Sequence, residues 1–434
     1  MQNTPLSQAD VIFTAEGEAN MVGYALAAAG NVNGDAYADL LIGAWGKDYE
    51  SQKRAGAAYL ILGRETFTPT FSLSQADASF LGETGESWLG YSLAGVGDVD
   101  GNGLDDLLLA APNDSQTQGQ AGKIYLFLSK AEGWLPNTLI STADLIISGQ
   151  AEGDMAGIAV SAAGDVNGDA LADFLIGAWG AGIGLAEEAG VTYLILGRES
   201  FSQTMNLETA DGSFVGERAN DRAGRAVAGV GDLNADGYAD FAIGAYGAND
   251  GGPNAGKAYL IYGQSEAYGY RANLSEADRL YLGESSGDYA ALSIAGLHNI
   301  RVAGDHYLLI GAPAAQKNGL YHSGQTHLTQ PPPDLQFIQP PLIYNNLDNV
   351  ITLHGANFLP QSLLTIEEVP LIFSFVNSQT LTATIAAGTT VGVYDFSITN
   401  PDKQMDVLVG GLTITLPPPQ LQTITPTWVT NDGL

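Results

Sequence analysis

The chain has no cysteine, 16 basic residues against 48 acidic ones, five histidines and no apolar run of 18 residues. Each shortage closes off a class of function. Without thiols there are neither disulfides nor thiolate metal sites, which excludes zinc fingers and iron–sulfur clusters. A net charge of −32 repels a phosphate backbone or an anionic membrane surface, so nucleic acid is excluded as a partner. No segment has the length and apolarity for direct membrane insertion as a helix. Met1-Gln-Asn-Thr-Pro5 has neither the basic region nor the apolar core of a signal peptide. What is plentiful is glycine, 55 in 434 residues, among many short Val/Ile/Leu/Tyr runs, and this is the composition of an all-β chain with frequent turns.

Against this background four acidic loops recur, each beginning 67 residues after the last. They place Asn31, Asn33, Asp35 and Asp39, then Asp98, Asp100, Asn102 and Asp106, then Asp165, Asn167, Asp169 and Asp173, then Asp232, Asn234, Asp236 and Asp240 at positions one, three, five and nine. Position seven, held by Tyr37, Leu104, Leu171 and Tyr238, offers a backbone carbonyl. This spacing turns short oxygen-bearing side chains inward, and a hard cation such as Ca²⁺ takes about six to eight oxygens. Asp and Asn also favour plain turns, which explains one such loop but not four with identical spacing. The loops therefore predict up to four Ca²⁺, which would bring the formal charge from −32 to −24; the remaining acids suit a soluble, salt-tolerant surface. Loop one carries two carboxylates where each of the others carries three, so it is expected to bind most weakly. Position six calls for a left-handed turn, free for Gly103 and Gly237 and strained for Ala36 and Ala170.

A strict period of this length marks a repeat architecture. The phrase Leu6-Ser-Gln-Ala-Asp10 returns with its aspartate at 77, 144, 211 and 278. Each unit then supplies four short strands, which describes a β-propeller blade; an open solenoid is the alternative. Five repeats are visible over residues 1–330. Strand counting favours a ring, because Val11–Thr14 is an outer-type strand with no inner three before it, while the fifth unit has inner strands at 292–295, 307–310 and 319–322 and then meets proline. The expected latch pairs Val11–Thr14 with Gly319–His322.

The units resemble the FG-GAP repeats of integrin alpha chains and related bacterial surface proteins. Gly23-Tyr24 and Gly90-Tyr91 stand at the Phe-Gly position, Gly43-Ala44, Gly244-Ala245 and Gly311-Ala312-Pro313 at Gly-Ala-Pro, and the loops match Asp-x-Asn-x-Asp-Gly-x-x-Asp. The resemblance covers residues 10–322 and implies a calcium-binding propeller with a protein or glycan ligand. The family's ring has seven blades where five are visible here, and the fifth loop, Gly296–Asp305, has lost the ligand pattern.

From Pro331 the phrase stops and composition shifts to Pro, Thr, Ile and Leu. Alternating short runs over 331–416 are consistent with an Ig-like β-sandwich, and Gly355-Ala-Asn-Phe358 resembles the signature of the TIG (IPT) module. Residues 417–434 echo the opening of that module at an interval of 86, predicting the truncated start of a second one.

Other chemistry is weak. Gly283-Glu-Ser-Ser-Gly287 matches a hydrolase nucleophile pattern but falls in a repeat turn, where Ser285 aligns with Thr84 and Arg218. Trp45, Trp88, Trp179 and Tyr246 suit either blade packing, the favoured reading, or a glycan or protein platform. The expected function is a non-enzymatic calcium-binding adhesion or ligand-binding propeller, extracellular or at the cell surface, where millimolar calcium suits weak loops. The alternatives are an accessory propeller of a larger secreted enzyme and a carbohydrate-binding lectin.

Overall fold

A computed structural model describes residues 5–115, 119–182, 186–269, 271–298, 306–316, 322–329, 331–401 and 403–419. The chain divides into two compact units, Met1–Gln330 and Pro331–Leu434. Among the described residues it is all β apart from five one-turn 3-10 helices.

In the first unit each 67-residue repeat folds into an antiparallel sheet. Blade one runs Leu26–Gly30, Asp39–Gly43, Ala57–Ile61, Ala78–Leu81, and blade two Ser92–Gly97, Asp106–Ala111, Lys123–Phe127, Leu145–Ser148. Blade three is Ala159–Gly164, Asp173–Ala178, Val191–Ile195, Gly212–Val215, and blade four Ala223–Gly231, Asp240–Ala245, Lys257–Ile261, Arg279–Leu282. The middle strands are buried on both faces, which is why they read as unbroken apolar runs rather than alternating ones. Small residues line the inner strands because blades converge there: a Cβ on Gly177 would run into the Gly224 carbonyl, and one on Gly244 into that of Ala291.

The recurring Leu-Ser-Gln-Ala-Asp phrase forms the 3-10 turns, and its aspartates fasten each blade's outer corner. Asp77 accepts the Leu62 amide at 2.8 Å, Asp144 that of Leu128 at 3.0 Å, Asp211 that of Leu196 at 2.9 Å and Asp278 that of Tyr262 at 2.8 Å.

Apolar cores join blade one to two through Leu41, Leu60, Leu107 and Phe127, two to three through Leu108, Leu126, Phe174 and Ile176, three to four through Leu175, Leu194, Phe241 and Ile243, and four to five through Val230, Leu260, Leu308 and Ile310. Among the described residues no core joins blade five to blade one, and no strand pairing closes the ring. The expected latch is therefore corrected. Ile12–Thr14 pairs in parallel with Thr70–Ser72, as the outer strands of the first three blades pair in parallel with the connection that follows each, Ala78–Leu81 with Thr138–Leu139, Leu145–Ser148 with Thr204–Asn206 and Gly212–Val215 with Ala272–Asn273. Val11 and Phe13 then lie against Ile42, Tyr59, Phe71 and Leu81 on the far face of blade one. Blade five begins with Ser293–His298 and His306–Ala312, and its third strand is displaced from its expected place, to Gln325–Thr329 beside His306–Ala312; residues 317–321 lie outside the described residues.

The second unit is two sheets around one core. Asp334–Gln339, Asn349–Ala356, Thr380–Ile385 and Phe373–Asn377 form one; Leu342–Tyr344, Met405–Thr415, Gly392–Thr399, Leu363–Ile366 and Val369–Pro370 form the other. Leu353, Phe358, Leu381, Phe396, Ile398 and Leu412 fill the space between. Gly355 is required there, since a Cβ would strike both the Asp334 carbonyl and the Phe358 ring. The expected second module at 417–434 lies outside the described residues beyond 419.

Candidate metal centres

Each acidic loop connects a blade's first and second strands, with position nine as the first residue of the second strand. Its aspartate is fully buried in all four blades, at 0% exposure for Asp39, Asp106, Asp173 and Asp240. Both carboxylate oxygens are spoken for by backbone amides: one from position two, the other from the end of the third strand. Asp106 accepts from Val99 at 2.9 Å and Ser129 at 2.7 Å, Asp173 from Val166 and Gly197 at 2.8 Å each, Asp240 from Leu233 at 2.7 Å and Gly263 at 2.9 Å. Asp39 repeats this with Val32 and Gly63. Burial outweighs these bonds and pushes Asp106, Asp173 and Asp240 up to about 7, and it raises Asp39 as well. A buried carboxylate so disfavoured as a bare anion gains most from a cation beside it.

At position one, loops two to four use an aspartate that turns back over the loop. Asp98 accepts from Gly101 at 2.7 Å, Asn102 at 3.0 Å and Gly103 at 2.7 Å; Asp165 from Gly168 at 2.6 Å and Ala170 at 2.8 Å; Asp232 from Asp236 at 3.1 Å and Gly237 at 2.9 Å. Position four is left-handed throughout, at Gly34, Gly101, Gly168 and Ala235, and position six at Gly103, Ala170 (φ 71°) and Gly237. The expected strain is thus present at Ala170. Ala36 does not take the left-handed turn, because Asn31 cannot collect amides as a carboxylate does; its Nδ2 donates instead to the Asp35 carbonyl at 2.7 Å. Positions three and five interlock, with Asn33 donating to Asp35 at 2.9 Å, Asn167 to Asp169 at 2.8 Å and Asn234 to Asp236 at 2.8 Å. In loop two Asn102 at position five accepts the amide of Leu104 at 2.9 Å. The amides of Tyr37, Leu171 and Tyr238 at position seven bond to position five in the same way, leaving the position-seven carbonyls as further oxygen donors.

The donor set is oxygen only, as a hard cation requires. In loop two the carboxylates of Asp98, Asp100 and Asp106 bring one oxygen each within 4.8 Å of one another, the one group of three acidic or histidine donors so gathered among the described residues. Sequence reasoning missed one neighbour. Asp105 of blade two reaches back to the first loop, accepting the Asn31 amide at 2.6 Å, while the equivalent positions in the other acidic loops hold Ala38, Ala172 and Ala239. That break in the repeat was the only signal available.

The remaining candidates are a turn and two groups of stacked aromatic side chains. The segment 283–287 is a turn in which Asp288 accepts the Ser285 amide at 2.9 Å, not a strand-to-helix elbow. Arg222 stacks over Trp179 at 5.0 Å and Tyr246 at 5.7 Å and is tied to Glu188. Trp45 packs on Trp88 at 5.5 Å, and the Tyr24 and Tyr91 hydroxyls meet at 2.8 Å, with Tyr24 53% exposed.

Residues 89–127 and 223–261 match the FG-GAP repeat family. The chain is 28% identical over 177 residues to integrin alpha-5 of Xenopus laevis, covering 39% of this chain and 16% of that one. It is 32% identical over 166 residues to integrin alpha-PS2 of Drosophila melanogaster, 37% of this chain and 11% of that one. It is also 29% identical over 205 residues to phosphatidylinositol-glycan-specific phospholipase D of Bos taurus, 45% of this chain and 23% of that one. The chain spans a minor part of these relatives' length. No helix among the described residues is long and apolar enough to cross a membrane. Two segments of the chain thus match the FG-GAP repeat, and its successive blade-like sheets are consistent with a β-propeller similar to that of integrin alpha chains.

Proposed function

We propose that this chain is a non-enzymatic, calcium-stabilised binding module that works outside the cell or on its surface, with the propeller as ligand-binding head and the sandwich, read as a TIG/IPT Ig-like domain, as spacer. The observation that carries the reading is the set of four buried position-nine aspartates, each at the mouth of an oxygen-lined loop at the same offset. Ca²⁺ would be held by residues at positions one, three, five and nine with the carbonyl of position seven, the first loop binding most weakly. Its charge would offset the cost of burying these carboxylates. The similarity to integrin alpha chains favours a protein ligand for the head; Tyr24, Trp45, Trp88 and Tyr91 suit the stacking that a glycan also uses. Calorimetric titration of calcium-stripped chain with CaCl₂ tests the reading: binding at several sites is expected, and a flat isotherm would refute it.

A second reading, an accessory propeller of a larger secreted enzyme, draws on the similarity to a phospholipase D. It is separated from the first by hydrolase assays: activity would favour the enzyme reading, and its absence alongside calcium and ligand binding would favour the binding module.

A further inference from the structure

Blade five departs from the other four in a coordinated way. At positions one, three, five and nine of its loop stand Asn299, Arg301, Ala303 and Tyr307, so the oxygen set is gone. Two other positions change with it. The residue preceding the loop is Gly30, Gly97, Gly164 and Gly231 in the first four repeats and His298 in the fifth; the residue before position nine is Ala38, Asp105, Ala172 and Ala239, and then His306. These two histidines are direct cross-strand partners on the blade's first two strands. Their Nδ1 atoms are 2.7 Å apart and their rings meet edge-on, with centroids at 4.7 Å and planes at 75°. The ring of His306 lies in the space left by Gly231 of blade four, where a Cβ would strike it. His298 is exposed and His306 half-buried, so solvent reaches the pair.

We propose that His298 and His306 form a two-nitrogen site for a borderline divalent transition metal, Zn²⁺ or Cu²⁺, distinct in chemistry and place from the calcium loops. Imidazole nitrogen suits these ions and not Ca²⁺. Two nitrogens on a tetrahedral Zn²⁺, at about 2.0–2.1 Å from the metal, lie roughly 3.3 Å apart, so the pair opens by about 0.6 Å through side-chain rotation alone. In the neutral pair one Nδ1 donates its proton to the other. Coordination needs both as acceptors, so the donor ring shifts that proton to its own Nε2. Water completes the coordination. The metal would clasp the first two strands of the blade that has lost its acidic loop.

The test uses the full chain with its calcium loops saturated by CaCl₂. Calorimetric titration with ZnCl₂ is expected to show one strong site, weakened at least about tenfold in His298→Ala or His306→Ala and lost in the double variant, with His327→Ala as an unaffected surface control. Copper-loaded wild-type chain is expected to show electron paramagnetic resonance coupling to two imidazole nitrogens, a readout that needs no variant to fold. His306→Gln preserves bulk should the alanine variant unfold, and is expected to weaken the zinc site by about the same factor while keeping the wild-type melt in zinc-free buffer. A zinc isotherm unchanged in the double variant, or a copper spectrum without two-nitrogen coupling, overturns the proposal.

Discussion

At the scale of single residues, the position-nine aspartates tie folding to pH. Burial raises Asp106, Asp173 and Asp240 to about 7 from 3.8, so between about 4 and about 7 the folded, metal-free chain holds protons that the unfolded chain has released. Stability of calcium-stripped protein should therefore fall as pH rises through that window and level off above it. Excess calcium should reverse the trend, since the metal requires the ionised carboxylates. Thermal melts across pH with and without calcium check this; a stripped protein that gains stability from about pH 4 to about 7 would contradict the burial of these groups as bare acids. Loop charge makes a second expectation. Asp236→Ala removes one of three carboxylates from loop four, while Asn31→Ala removes none from loop one, so the first should weaken its site by about tenfold or more and the second far less. Paired calcium titrations showing equal losses would mean that charge does not set affinity here. Ala170 sits at φ 71° where loops two and four place Gly103 and Gly237 in the same left-handed turn, and Ala170→Gly should raise stability by about 1 kcal/mol in denaturant melts.

At the scale of elements, the N-terminal strand is the informative case. Ile12–Thr14 sits on Thr70–Ser72, and Val11 and Phe13 cover Phe71 and Tyr59. Removing residues 1–16 should speed hydrogen exchange across 57–81 and leave 306–329 as in the parent; the opposite pattern would restore the ring latch. This is also where sequence and structure part company. The period located the blades, loops and outer strands because each unit's pattern is local: aspartates at fixed offsets, glycines where the next blade's backbone approaches, aspartates capping the outer corner. The partner of Ile12–Thr14 was not legible, because an outer strand offers two edges and only the angle between blades decides which is met. The first loop's altered turn was hidden for a similar reason. Asn31 fits the spacing as well as an aspartate, yet it donates where an aspartate accepts. The contribution of Asp105 crosses between blades, and no periodic pattern within one repeat encodes it.

At the scale of the first unit, no strand pairing or apolar core joins blade five to blade one among the described residues. Blade one exposes Tyr24, Leu26 and Leu40, and at the other end Leu280, Leu282 and Leu328 are exposed beside Gln325–Thr329, the last strand of its sheet among the described residues. Exposed apolar side chains grouped in this way recruit partners, so the chain should self-associate with rising concentration in sedimentation velocity; a strict monomer over the whole range would show these side chains to be covered. The central claim is that calcium stabilises the folded blades through their acidic loops, and the most direct measurement is the melting temperature of the chain in excess calcium and in chelator. Occupation of one site at 100 times its dissociation constant adds about 2.7 kcal/mol to folding. The account predicts a clear drop in melting temperature on chelation, restored by calcium and blunted in a variant carrying both Asp106→Asn and Asp240→Asn. The same melting temperature in calcium and in chelator would contradict it.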